Sequence, residues 1–342
     1  MTALDLPTLD ARAAGLRTKL VRRSELDALA GAPSVATFAR ELEQTRRLVD
    51  PIERPVTVAT VEAAVRHTAA RHLRVLSTWA GPGSALDVFY ADQDRRSLRA
   101  LMRGALQGAP SDDRLAGLLP TPRLPEGALT TLARQPTPSR VVAQLVLLRH
   151  PDASSLSALT AASARPRLLD LERVLARGFA GRSLAAARAA DRNLRGIVRA
   201  RIDVGNVQMA LAFAAGPHDV EAASLFTEGG AAVTRAAFIQ ACAATTAVEA
   251  GLRLERALQG KPLAALLRSA AGDPARVEVL ALHHELVEQR RIARLEPLGS
   301  APLVLFLLRL QAQSADLRRL AWGAALGAPA DLVRAELVTP WS

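Results

Sequence analysis

The strongest constraint on the fold is an internal repeat. Residues 98–119, LRALMRGALQGAPSDDRLAGLL, align without gaps to residues 317–338, LRRLAWGAALGAPADLVRAELV, with 11 identities in 22 positions. Paired Gly104/Gly323, the Gly-Ala-Pro triplets at 108–110 and 327–329, and Asp112/Asp331 carry more weight than the shared Ala and Leu. A weaker third copy begins at Val207 (VQMALAFAAGP), so the copies start at 98, 207 and 317, 109 and 110 residues apart. Glutamate-led segments at Glu62, Glu172 and Glu278, 110 and 106 apart, follow nearly the same period. A period near 110 is too long for common solenoids and means a few large units, each needing its neighbours to complete a core.

Each copy reads as a helical corner, the third with its own Gly216-Pro217. Gly108 and Gly327 suit the left-handed residue that closes a helix, and Pro110 and Pro329 suit the first turn of the next. Asp112 and Asp331 then lie near that helix's positive end. Before the second corner, Leu303, Phe306, Leu307, Leu310, Leu317, Leu320, Ala321 and Ala324 form a helical stripe. Arg309, Asp316, Arg318 and Arg319 mostly fall beside it. The only alternating run, RPVTVATV at 54–61, is short, and aromatic residues are only 3% of the chain. A Leu/Val/Ala core of this kind suits helices better than sheet. The expected fold is all-α, and 342 residues are enough for two or three packed units.

No apolar run approaches a membrane span, because Ala301–Leu308 is stopped by Arg309. The N-terminal stretch, with Asp5 and Asp10, has no export-signal core. The single Cys242 excludes an intramolecular disulfide and a cysteine-built zinc site. The formal charge is +11, and since Lys19 and Lys261 are the only lysines, arginine supplies all but two of the 44 basic residues. The arginines are scattered, which reads as a solvated basic surface.

The repeat residues also carry a family resemblance. Ile202-Asp203-Val204-Gly205-Asn206-Val207 resembles the "Asp, two residues, Asn, hydrophobic" helix start of a stalk protein of V/A-type ATPases, the one lettered C in prokaryotes and d in eukaryotes. Asp94-Arg95-Arg96-Ser97-Leu98-Arg99 and Gln313-Ser314-Ala315-Asp316-Leu317-Arg318 look like degraded copies of it. Phe226-Thr227-Glu228-Gly229-Gly230 resembles the family's paired glycine. Pro297-Leu298 through Leu317-Arg318, with Gly323 and Gly327, resembles its closing block. The chain departs from the family in having one tyrosine, Tyr90, and in placing Phe306 where a tyrosine is usual.

The resemblance implies a funnel of three pseudo-threefold helical units, with N- and C-terminal segments sharing one: 1–90 with 311–342, 91–200, and 201–310. It implies a central-stalk rotor subunit joining the shaft subunits to the membrane proteolipid ring. Such a protein is cytoplasmic and peripheral to the membrane, transmits torque coupled to proton or sodium transport, and is not an enzyme. It would have no cofactor, metal, small-molecule substrate or specific nucleic acid. The motif residues it singles out are Asp203, Asn206, Gly229, Gly230, Arg99, Arg318, Gly323 and Gly327.

The residues themselves fit that picture. Neither a G-x-x-x-x-G-K-[ST] nor a G-x-G-x-x-G loop occurs, and Gly229-Gly230 reads as a close backbone approach. His67/His72 and His283/His284 lack the i, i+4 placement of a zinc helix, and these, like His150, read as surface residues. Cys242, in the apolar run FIQACAATTAV, reads as a buried inert thiol. Asp203 and Asn206 read as caps of a helix start. The competing reading is an arginine-rich helical adaptor for nucleic acid or acidic proteins, though few aromatics are available for base stacking.

Overall fold

The structure is a computed structural model that describes residues 6–80, 84–163, 165–188, 190–216 and 220–340. Asp5 and Pro217, the last residue of the weaker third copy, lie outside them. Among the described residues there are seventeen α-helices, one short 3-10 helix and no strand, so the chain is all-α. The first helices are α1 (Leu6–Arg17), α2 (Arg23–Leu29), α3 (Val35–Gln44), α4 (Val58–Ser77), α5 (Ala85–Gln107) and α6 (Ser111–Leu115). They are followed by α7 (Glu126–Ala133), α8 (Pro138–Leu147), α9 (Ala153–Ala162), α10 (Leu168–Ala186) and α11 (Arg192–Ala214). The last are α12 (Arg235–Cys242), α13 (Ala247–Ala257), α14 (Pro262–Ala270), α15 (Pro274–Leu295), α16 (Ala301–Leu326) and α17 (Ala330–Ala335).

Short polar side chains start many of these helices. Ser34, Thr57, Thr137, Asp191, Thr234 and Thr246 each accept a hydrogen bond from the amide three residues on. Each such cap satisfies a donor that the helix leaves unpaired and contributes about 1 kcal/mol. The alternating run at 54–61 therefore becomes a capped helix start, with Thr57 as the cap, and not a strand.

Two compact units are present. One comprises Met1–Phe89, Leu115–Glu126 and Leu282–Ser342, and the other Tyr90–Arg114 and Gly127–Ala281. In the first unit α16 packs on α1, α2, α3 and α4. Its core joins Leu26, Phe38, Leu42 and Val61 to Leu317, Leu320, Ala321 and Leu337. Thus residues from opposite ends of the chain close one hydrophobic core.

In the second unit α11 is the central helix, packed on α10, α12 and α13. Val207, Ala210, Leu211 and Ala214 face Phe238, Leu254 and Leu267, and the Phe226 and Phe238 rings lie 5.4 Å apart. The alanines supply little volume, so the helices approach closely and the few aromatic rings fill the gaps. No helix among the described residues is long and apolar enough to cross a membrane.

Candidate functional site

The two strong repeat copies have the same local structure. Gly108 and Gly327 have φ of 68° and 63°, the left-handed region where a side chain is strained. Ala109 N–H donates to Gly104 O at 2.9 Å, and Ala328 N–H to Gly323 O at the same distance. Arg114 and Val333 amides then close the next turn onto Pro110 O and Pro329 O, each at 3.2 Å. The prolines stand at the cap, one residue before the first turn expected for them. Gly104 and Gly323 are needed for a different reason. A Cβ on Gly104 would lie 2.5 Å from Arg114 Cγ, and one on Gly323 would lie 2.9 Å from Val333 Cγ2.

The third copy differs. α11 ends at Ala214 with Ala215 in the right-handed region, and Gly216 is not left-handed. The glycine-closed corner is therefore absent there, contrary to the repeat reading.

Asp203 and Asn206 do not start a helix. The helix begins at Asp191, whose carboxylate caps Leu194, so both residues lie in the middle of α11. They are buried and tie down a loop further along the chain. Asp203 Oδ2 accepts from the Ala231 and Ala232 amides at 2.9 and 2.8 Å, and Oδ1 from Val233 at 2.9 Å. Asn206 pairs with Thr227 in both directions, Nδ2 to O and N to Oδ1, each at 2.9 Å. The carboxylate presses against Gly230 where a Cβ would stand, while Gly229, at φ 103°, makes room for Leu184. The paired glycine is thus the counterpart of the Asp203 tie.

The first unit contains a second tie at the register-equivalent positions 313 and 316. Asp316 Oδ1 and Oδ2 accept from the Val338 and Thr339 amides at 2.7 and 2.9 Å, and Gln313 Oε1 accepts from Val21 at 2.6 Å. Burial pushes the Asp316 carboxyl above the usual carboxylate range, opposed by these bonds and by Arg319. Thr227 and Thr339 occupy the same place in the two ties. Leu225-Phe226-Thr227 and Leu337-Val338-Thr339 look alike, and Leu119-Pro120-Thr121 keeps the period, with all three threonines buried. This Leu-x-Thr signal is visible in the sequence as a third periodic landmark, beside the corners and the glutamates.

Arg99 belongs to a charged network in the second unit. Asp92, fully buried, meets Arg95 at 2.8 Å, Arg96 at 2.9 Å and Arg201 at 2.8 Å. Those three guanidiniums hold its carboxyl well below the usual range, overcoming the effect of burial. Arg96 also pairs with Glu278, which Arg99 meets at 3.3 Å and Gln208 at 3.3 Å, while Glu172 lies 3.9 Å from Arg99. Burial, and Arg95 next, lower the Arg99 pKa to about 10. Two of the periodic glutamates are therefore counter-ions, and these arginines are not a solvated surface.

Arg318 stands at the position matching Arg99. Its guanidinium covers Gly117 where a Cβ would be, beside Glu62, which accepts from Trp322 Nε1 at 3.1 Å.

The histidines and the cysteine divide differently from expectation. His72 and His150 are buried, not on the surface. Burial, with Lys19 second, lowers the His72 pKa to about 4. His150 lies between Asp94 at 3.4 Å and Asp152 at 3.9 Å, and Arg182 clamps both oxygens of Asp152. No group of three possible metal-ligating His, Cys, Asp or Glu residues occurs among the described residues. Cys242 is buried, and burial pushes its thiol up to about 12, so it is held as an unreactive thiol.

These features define a helical repeat protein whose motif residues tie its own backbone and balance its own charges. The family model of the ATP synthase (C/AC39) subunit matches residues 9–336, and the chain belongs to that family. It is therefore a subunit of the rotary ATPase class. No curated protein matches the chain individually.

Proposed function

We propose that the chain is the central-stalk rotor subunit that links the shaft subunits to the membrane proteolipid ring. In this reading it transmits torque coupled to proton or sodium transport, without catalysing a reaction itself. It sits in the cytoplasm, held at the membrane through the complex. The division into three helical units, 1–90 with 311–342, 91–200 and 201–310, arranged as a funnel, belongs to the same proposal.

The observation that carries it is the way the motif residues are used within a chain matched by the family almost throughout. Asp203, Asn206 and Asp316 reach from long helices to backbone 21 to 30 residues further on, and Gln313 reaches back 292 residues to Val21. Bonds to a carboxylate contribute about 1.5–3 kcal/mol each and those of the neutral Asn206 and Gln313 amides about 0.5–1.5 kcal/mol, and both resist local yielding. A part that passes torque needs stiffness of this kind, whereas a catalyst would need an accessible reactive group.

The test is reconstitution. The purified chain should form a 1:1:1 complex with the two shaft subunits. A complex assembled without it should still hydrolyse ATP and fail to pump ions. Ion pumping at the full rate in its absence would exclude the rotor role.

A further inference from the structure

The first unit carries an open cavity of about 480 Å³ whose wall includes six arginines: Arg17, Arg22, Arg23, Arg290, Arg294 and Arg309. The rest of the wall is aliphatic, proline or hydroxyl, with no carboxylate and no aromatic ring. The volume falls within the range of about 300–1,000 Å³ typical of small-ligand sites. Arg23 is fixed in place by Asp27 at 2.9 Å, Thr339 O at 2.5 Å and Arg334 O at 3.1 Å. Among the described residues no carboxylate forms an ion pair with the guanidinium of Arg17, Arg22, Arg294 or Arg309, and the nearby Glu25 carboxylate accepts from the Arg22 backbone amide at 2.6 Å.

Arg309 is the telling member. It interrupts the buried run Leu303–Leu308 on α16, and Leu310 after it is buried too. Burial first, and then the charges of Arg17 and Arg290, lower its pKa. Gathering like charges in a half-desolvated cleft costs free energy, and a bound anion offsets that cost. Guanidinium forks match phosphate oxygens in paired hydrogen bonds, and four of them without an ion pair, Arg17, Arg22, Arg294 and Arg309, call for several negative charges in a small volume. A peptide carboxylate brings one charge per residue along with its backbone, and the wall has no aromatic ring to sandwich a nucleobase.

We propose that this cavity binds a compact anion carrying several phosphate groups, either the headgroup of a phosphoinositide or a soluble polyphosphate. The proposal goes beyond the rotor reading and does not rest on it.

The experiment uses the full chain and inorganic tripolyphosphate at near-physiological chloride, followed by titration calorimetry. One saturable site is expected. Arg309→Gln and Arg294→Gln should each weaken binding at least tenfold, while Arg256→Gln, on exposed surface of the second unit, leaves it unchanged.

Thermal unfolding gives a second readout. Tripolyphosphate should raise the Tm of the native chain and not of Arg309→Gln. The unliganded variant should melt higher than the native chain, because a repelling charge is gone. Vesicles containing phosphatidylinositol bisphosphate, compared with phosphatidylserine vesicles of equal charge, identify the source. Sedimentation with the bisphosphate alone, lost in Arg294→Gln, assigns the lipid. Tripolyphosphate binding without vesicle binding assigns the soluble anion. Equal weakening by Arg256→Gln, no saturable binding, or an acidic peptide that tripolyphosphate cannot displace overturns the proposal.

Discussion

At the scale of single residues, the stability of the second unit depends on a carboxylate whose partners have no side-chain identity. Asp203 accepts three backbone amides, and its removal leaves three buried or half-buried donors unpaired. Asp203→Ala should destabilise the chain by about 3–5 kcal/mol in urea unfolding. Gly230→Ala should act on the same loop with a similar sign, since its methyl needs the space of the carboxylate. A change below about 0.5 kcal/mol for both would dismiss the tie as decoration. The importance of Asp203 and of the paired glycine was legible in the sequence, but what joins them was not, because amide hydrogens leave no pattern in a sequence.

His72 illustrates the opposite failure, since it continues the buried stripe of Val61, Val65, Ala69 and Leu76 on α4 while its residue type suggests a surface position. Its folded pKa of about 4 lies below its ordinary value of 6.5. The unfolded chain therefore takes up the proton first. Stability is unaffected above pH 6.5 and is lost progressively as the pH falls from 6.5 towards 4. The shift corresponds to at most about 3 kcal/mol. His72→Leu should flatten that limb of the stability–pH curve, measured by urea midpoints between about pH 7 and pH 4. An unchanged slope would mean that the imidazole stays neutral in both states or charged in both.

At the scale of elements, the corner of α5 with α6 and the corner of α16 with α17 are one solution used twice. The shared glycines have separate jobs, which gives separable predictions. Gly108→Ala and Gly327→Ala meet open space but force a left-handed alanine, so each should cost about 1 kcal/mol. Gly323→Val should cost more, about 2–3 kcal/mol, because it collides with Val333 across the corner. Equal costs at 323 and 327 by thermal unfolding would refute that distinction. The corners were readable because a left-handed glycine and a following proline are local demands, written in adjacent residues. The third copy misled because its Gly216 sits in the right sequence context without the backbone conformation. The Asp92 network was unreadable for a different reason: Arg95, Arg96 and Arg201 look like any exposed basic residues until α5 and α11 bring them to one carboxylate. The Leu-x-Thr segments, by contrast, carry a period that could have been found in the sequence, although their role, the Thr227 and Thr339 backbone held by the ties, leaves no pattern there.

At the scale of the whole molecule, the two cores draw on very different stretches of chain. One core cluster of the second unit uses residues from Val207 to Val277, a continuous stretch, and the unit buries Leu98, Leu129, Leu145 and Leu175 besides. The core of the first takes Leu26, Phe38, Leu42 and Val61 from one end of the sequence and Leu317, Leu320, Ala321 and Leu337 from the other. Residues 313–342 also supply the Gln313 and Asp316 ties, one of which reaches Val21. Losing a buried leucine costs about 2–5 kcal/mol, and three leave together when this segment is deleted. That rivals the whole margin of about 5–15 kcal/mol by which a domain is stable. Deletion of residues 313–342 should therefore unfold the first unit while the continuous core of the second persists. Hydrogen exchange on the truncated chain should show amides in α3 and α4 exchanging near the unfolded rate, with those of α11, α12 and α13 still protected. Full protection of α3 and α4 would mean that the N-terminal helices need no closing segment. A loss of protection spread evenly over the chain would mean that the two cores unfold as one.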